Sequence, residues 1–308
     1  FSGSWNNVGL QLTTIASGRT DMNDDVAELA LFGNAGRTGS PGDFDAQGSS
    51  MDGFAVTTIG LSVGFPLSRR WAPGVRRGLS IGATLKNSWG HALVFAEDNG
   101  SLAESDPLGL ELNFPVIHPR GGWRNWNQGS GIGMDIGMAW QEGPWAAAAV
   151  VENLFNTFEW DLDLLTYRPG EAVFDQDTKE SNFDERPANE APELIRSKVQ
   201  DLNFRPVFIL GGAYEARDNL TVTGEFRQRA GEGLHTGPKS HLGIGLVFVP
   251  DPHIPLRAGV AAITEGVQVA GGFSLILGPM HLGFGGLYQL GDVGEGFAGT
   301  FGLSFGGG

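Results

Sequence analysis

The sequence predicts an all-β fold: a closed antiparallel transmembrane β-barrel of about fourteen strands, in a single domain over residues 1–305. Three observations carry this expectation. Apolar residues alternate with small or polar ones in segments of roughly ten residues, the length of a tilted membrane strand. The connections divide into short turns and long polar loops, and the last strand presents one aromatic face.

Ile59, Leu61, Val63 and Phe65 alternate with Thr58, Gly60, Ser62 and Gly64. Leu79, Ile81, Ala83 and Leu85 do so with Ser80, Gly82, Thr84 and Lys86, and Ile132 through Trp140 with Gly131 through Ala139. Further strands are predicted at Trp5–Ala16, Val26–Phe32, Trp145–Val151, Phe158–Leu164, Leu202–Tyr214, Leu220–Gln228, Leu242–Val249, Leu256–Ala262, Val267–Leu277, Met280–Tyr288 and Phe297–Phe305. A soluble β-sandwich also alternates, but its outer face meets water and should be rich in Lys, Glu, Asp and Arg. Here that face is mostly Gly, Ser, Thr and Ala, which suits a semi-enclosed lumen.

Long loops are expected at about residues 33–53, 88–130 and 166–201, on the external side, with a glycine tail at 306–308. The third carries Pro169, Pro187 and Pro192 and many acids, so no transmembrane strand is expected in it. Counting strands back from the C-terminus puts the short turn Gln141–Pro144 on the external side too, against its length. Phe301, Leu303 and Phe305 share one face of the last strand and resemble the terminal aromatic signal that bacterial barrels present to their assembly machinery.

Composition narrows the functions. The formal net charge is −15, which argues against nucleic acid, because phosphate binding needs clustered Lys and Arg. With no Cys there is neither a disulfide framework nor a thiolate centre. No apolar run reaches the roughly 18 residues of a membrane helix, so a membrane is crossed by strands if at all. The first residue is Phe1, which fits removal of a signal peptide or longer N-terminal piece.

Catalytic patterns are weak. Gly60-Leu-Ser62-Val-Gly64 and Gly78-Leu-Ser80-Ile-Gly82 match a hydrolase elbow in letters, yet both sit inside predicted strands and not at a strand-to-helix turn. Asp21-Met-Asn23-Asp-Asp25 opens like a calcium loop, but Val26 occupies the glycine position and Phe32 that of the final Glu. His118, His235, His253 and His281 show no metal spacing and are expected at the surface. No catalytic residue, cofactor or metal is predicted.

Charges within strands should face the lumen when their neighbours face lipid. Lys86, Asp135, Arg205, Glu225, Arg227 and Arg257 point inward by parity, either as a bracing network or as the lining of a path. Arg257 is expected to pair across the lumen with Glu225 or Asp135. Trp5, Trp140, Trp145, Trp160 and Tyr288 lie near strand ends and are expected in interfacial girdles.

Several stretches together resemble the FadL-type superfamily of outer-membrane barrels, especially its PorV-like and TraF-like relatives. They are Gly82-Ala-Thr-Leu-Lys86, Gly131-Ile-Gly-Met-Asp135-Ile-Gly137, Val151-Glu-Asn153-Leu154-Phe155, and Leu256-Arg257-Ala-Gly259 followed by Gly271-Gly-Phe-Ser-Leu275. The resemblance implies an outer-membrane location in a Gram-negative-type bacterium, with lipid, lipopolysaccharide and the barrel-assembly machinery as partners. It implies uptake or passage of a small hydrophobic molecule, or alternatively a non-transporting barrel that binds a partner protein at the surface or in a secretion system. Transporter-type members also carry an N-terminal segment that plugs the lumen, whereas here a strand is expected from the start of the sequence.

Overall fold

The computed structural model describes residues 2–33, 36–40, 42–67, 78–105, 108–121, 126–291 and 294–305. The glycine tail lies outside them, as do parts of the loops expected at 33–53 and 88–130. Thirteen strands hydrogen-bond in chain order into one antiparallel wall: β1 Ser2–Trp5, β2 Val8–Asp21, β3 Ser50–Pro66, β4 Leu79–Glu97, β5 Gly129–Glu142, β6 Trp145–Asn156 and β7 Val207–Arg217. β8 Leu220–Arg229, β9 Ser240–Phe248, β10 Leu256–Ile263, β11 Gly266–Leu277, β12 Met280–Gly291 and β13 Gly294–Phe305 complete it. Register puts like residues on one face. Leu10, Leu61, Leu85 and Met134 form one row across four strands, and Phe273, Phe284 and Phe301 another, with ring centroids 5.1 and 5.3 Å apart. On the opposite face Gln11, Gly60, Lys86 and Gly133 stand in line.

Two of the fourteen predicted strands are not in the wall. Residues 26–32 belong to helix α1, Asp24–Phe32: the Asn23 side chain accepts from Val26 N at 2.8 Å, and Asp24 and Asp25 occupy the first turn, where the helix dipole favours acids. Residues 158–164 contribute only Glu159–Trp160 and a 3₁₀ turn capped by Asp161. Twelve long strands and the four-residue β1 remain among the described residues. The recount also corrects the turn at Gln141–Pro144. It joins β5 to β6 at the same end as the turns at Asn6–Asn7, Asp218–Asn219 and Gly278–Pro279. We call this the turn end; the connections spanning 22–49, 98–128, 157–206 and 230–239 leave from the other, the loop end.

Closure, too, differs from expectation. No ladder joins β13 to β1 or β2 among the described residues. β1 runs the same way as β13, so those two could meet only as a parallel pair, whereas β2 runs opposite to β13 and its edge beyond Gln11 is not covered by β1.

The long connections are folded. Short strands at Val116–Pro119, Glu159–Trp160, Leu165–Arg168 and Arg186–Pro187 extend the rim of the wall, and a separate five-stranded sheet pairs Phe44–Asp45, Leu102–Ser105, Leu108–Asn113, Glu171–Phe174 and Lys179–Asn182. A second helix, α2, spans Glu193–Asp201. Between these pieces lies the main buried apolar cluster, with Phe158, Leu165, Ile117, Leu93, Ile195, Val199 and Leu234. Trp160 packs there at 4% exposure and is not in an interfacial girdle, whereas Trp5 is 81% exposed. Phe158 and Trp160 reach the wall because glycine stands beneath them. A Cβ on Gly131 would lie 2.3 Å from the Phe158 backbone, and one on Gly90 2.4 Å from the Trp160 ring.

The register assigns Ile59, Leu61, Ile132, Met134, Leu242 and Ile244 to the apolar face. Spin labels at these positions in lipid vesicles should be reached by lipid-soluble quenchers, and labels at Ser62 and Gly243 by aqueous ones. The opposite pattern would invert the faces of the wall.

Candidate functional site

The wall curls, because Gln11, Thr13 and Ile15 of β2 line the same cavity as Arg227 and Arg229 of β8, six ladders further along. This cavity has a volume of about 250 Å³ and lies on the polar face beneath the apolar cluster, with Phe204 and Leu234 also in its wall. Four of the six charges predicted to face inward line it: Lys86, Asp135, Arg205 and Arg227.

A bulge in β6 organises one side of it. The β5–β6 register shifts between Val151 and Phe155, and Asn153 adopts φ +52° there. That conformation is open to Asn at modest cost. It turns Asn153 inward, where Oδ1 accepts from Lys86 Nζ at 2.5 Å and the backbone N donates to Asp135 Oδ1 at 2.7 Å. Lys86 and Asp135 are themselves paired at 2.6 Å, on adjacent strands and both largely buried. Parity alone missed Asn153. The signal was available in Glu152-Asn153, two successive polar residues that break the alternation.

Asn153 also holds the chain that roofs the cavity. The strap Leu202–Pro206 lies outside any strand, so its carbonyls need partners from elsewhere. Three side chains supply some of them: Trp160 Nε1 donates to Leu202 O at 2.8 Å, Asn156 Nδ2 to Phe204 O at 3.0 Å and Asn153 Nδ2 to Arg205 O at 3.2 Å. The backbone N–H groups of Leu234 and Ala230 donate to Asn203 O and Pro206 O at 2.9 Å each. Arg205, expected in a strand, lies in this strap and bonds Asp201 at 3.2 Å and Glu232 O at 2.6 Å. The β8–β9 loop folds in beside it, with Leu234 buried and His235 in the cavity wall instead of at the surface. Glu232 anchors that loop to Lys239 at 2.7 Å and Arg229 at 3.6 Å. The Lys239 hydrogen bond holds its carboxyl below the ordinary glutamate range.

The remaining two inward charges lie elsewhere. Glu225 approaches His241 at 3.8 Å, and Arg257 donates to Ser274 Oγ at 2.7 Å. Arg257 forms no ion pair with Glu225 or Asp135 among the described residues, because it stands opposite Gly272 at the turn end of β10 while Asp135 is taken by its neighbour Lys86. Around them the polar face is nearly bare. Ala146, Ala148, Gly211, Gly243, Gly259 and Ala270 line a space of about 640 Å³.

Neither hydrolase-like serine sits at an elbow. Ser62 bonds Thr84 across the ladder at 2.8 Å and Ser80 bonds Ala139 O at 3.3 Å, both within strands. No group of three metal-ligating side chains occurs among the described residues. Asn23 of the calcium-like stretch caps α1.

Neither a protein-family model nor a curated protein matches the sequence. Among solved structures, one described as the CymD monoaromatic hydrocarbon channel superposes with a TM-score of 0.55, covering 100% of this chain and 81% of that one at 13% identity. The two chains share a fold. At that identity the likeness extends no further. Variants of a Rhodopseudomonas blastica porin align over 96% of this chain and 99% of theirs at 12% identity, but TM-scores of 0.28 and 0.27 are too low to bear on the architecture.

Replacing Asn153 by Gly keeps the left-handed conformation and removes only the side chain. The loss of its bonds to Lys86 and the Arg205 carbonyl should cost about 2–3 kcal/mol and loosen the strap. Hydrogen exchange at residues 202–205 should accelerate, and Asn153→Ala should be worse by about 1 kcal/mol of backbone strain. Unchanged exchange in the Gly variant would remove Asn153 as the anchor.

Proposed function

We propose that the chain is the wall of an outer-membrane channel in a Gram-negative-type bacterium, of FadL type, that admits a small hydrophobic molecule. The observation that carries the reading is the pairing of faces. One is a broad apolar surface with Leu242 63% and Ile244 57% exposed, which water would not tolerate over so many strands, and the other is lined by Gly and Ala around a wide space. Lys86, Asp135 and Arg227 then line the narrow part of the path. Phe301, Leu303 and Phe305 serve as the assembly signal on the outer face of β13.

In a membrane the free edges of β1 and β13 would leave backbone groups unpaired in hydrocarbon. On this reading the wall closes on itself in the membrane, β13 meeting the edge that β1 and β2 present. A closed barrel of this kind stays folded in unheated detergent gels and changes mobility on boiling. Identical mobility before and after heating would rule out closure.

The folded connections at the loop end, with a buried cluster of their own, favour a second reading, a barrel that presents them to a partner protein without conducting. Proteoliposomes distinguish the two. A channel should raise toluene entry several-fold over empty vesicles, and Phe158→Ala, which opens the apolar cluster, should raise it further. Entry equal to that of empty vesicles with both proteins would leave the partner-binding reading in place of the channel.

A further inference from the structure

Most charges around the 250 Å³ cavity are matched. Lys86 pairs with Asp135 at 2.6 Å, Arg205 with Asp201 at 3.2 Å and Arg229 with Glu232 at 3.6 Å. Two are not: Glu152 and Arg227 line the same cavity, both half-buried, and neither makes a hydrogen bond or ion pair among the described residues. Register explains why they do not meet. Glu152 stands opposite Val207, and Val207 opposite Arg229, while Arg227 is opposite Ile209. The two are thus two strands apart and offset by two residues along them, about 12 Å between backbones at the usual strand spacing and rise. Opposite charges so placed leave a gap between their tips that a small ligand can bridge.

We propose that this cavity binds a small zwitterion, its carboxylate taken by Arg227 and its ammonium by Glu152. The guanidinium offers the paired donors that a carboxylate accepts, and each ligand charge offsets the desolvation of the protein charge it meets. Phe204, Ile15 and Val207 furnish an apolar side, and Gln11, Thr13 and Asn156 furnish neutral polar groups. A volume of about 250 Å³ suits a molecule the size of an aromatic amino acid. The site does not depend on passage through the wall, because the cavity binds whether or not the wall conducts.

Calorimetry on the purified protein in detergent tests this with four probes of similar size: phenylalanine, 3-phenylpropanoate, phenethylamine and ethylbenzene. Phenylalanine should bind at least about tenfold more tightly than any of the others. Arg227→Met should remove the advantage of phenylalanine over phenethylamine while leaving phenethylamine binding in place. Glu152→Gln should remove its advantage over 3-phenylpropanoate while leaving that anion bound. Retained binding of the singly charged probe shows that each variant is folded. Equal affinity for phenylalanine and 3-phenylpropanoate, equal affinity for ethylbenzene, or no binding of any probe overturns the proposal. Failure of the channel reading is seen separately, in toluene entry.

Discussion

The backbone's need for hydrogen-bond partners governs this structure more than any side-chain contact. In a sheet that turns an apolar face to its surroundings, each N–H and C=O must find a partner in the next strand, since nothing outside supplies one. Consecutive antiparallel pairing meets that need for β3 to β12, each of which has a ladder on both sides. It also shows where the architecture is incomplete: the edge formed by β1 and by β2 beyond Gln11, and the outer edge of β13, have no ladder partner among the described residues.

Once the wall exists, its interior is a matter of side-chain size. Gly and Ala on the polar face around β6 to β11 leave a wide space, whereas the longer β3 and β4 carry the wall up to a lid with a core of its own. The lid docks because Gly90 leaves room for the Trp160 ring and Gly131 for the backbone of Phe158 against the wall. Glycine therefore has two separate uses here, room in one half and close approach in the other.

The polar cluster joins the two halves. Lys86 and Asp135 satisfy each other on neighbouring strands, and the bulge at Asn153 carries that pair's hydrogen bonds to the strap. Removing one member would leave a charge without its partner in a poorly hydrated space, which is costlier than removing both. The wall's charges thus fix the lid's position, and the cavity between them owes its shape to both.

Period-two alternation was legible in the sequence by itself because it is local: side chains at i and i+2 share a face whatever the strand pairs with. It pointed to the all-β class and to the alternating faces at 58–65, 79–86 and 131–140, and it put Lys86 and Asp135 on the same face as the small residues, where they line one cavity. The same signal misled at Val26–Phe32 and Phe158–Leu164, where capping by Asn23 and Asp161 and burial in the lid set the conformation. Only the tertiary structure decided which charges meet. Parity says that Arg257 and Asp135 point inward but not how far apart the register of the intervening strands sets them. It also decided that residues 202–206 roof a cavity, that Asn153 holds them, and that Glu152 and Arg227 are left facing a gap. Each of these depends on strands far apart in the chain being brought to one curve of the wall, and a period of two residues carries no information about that distance.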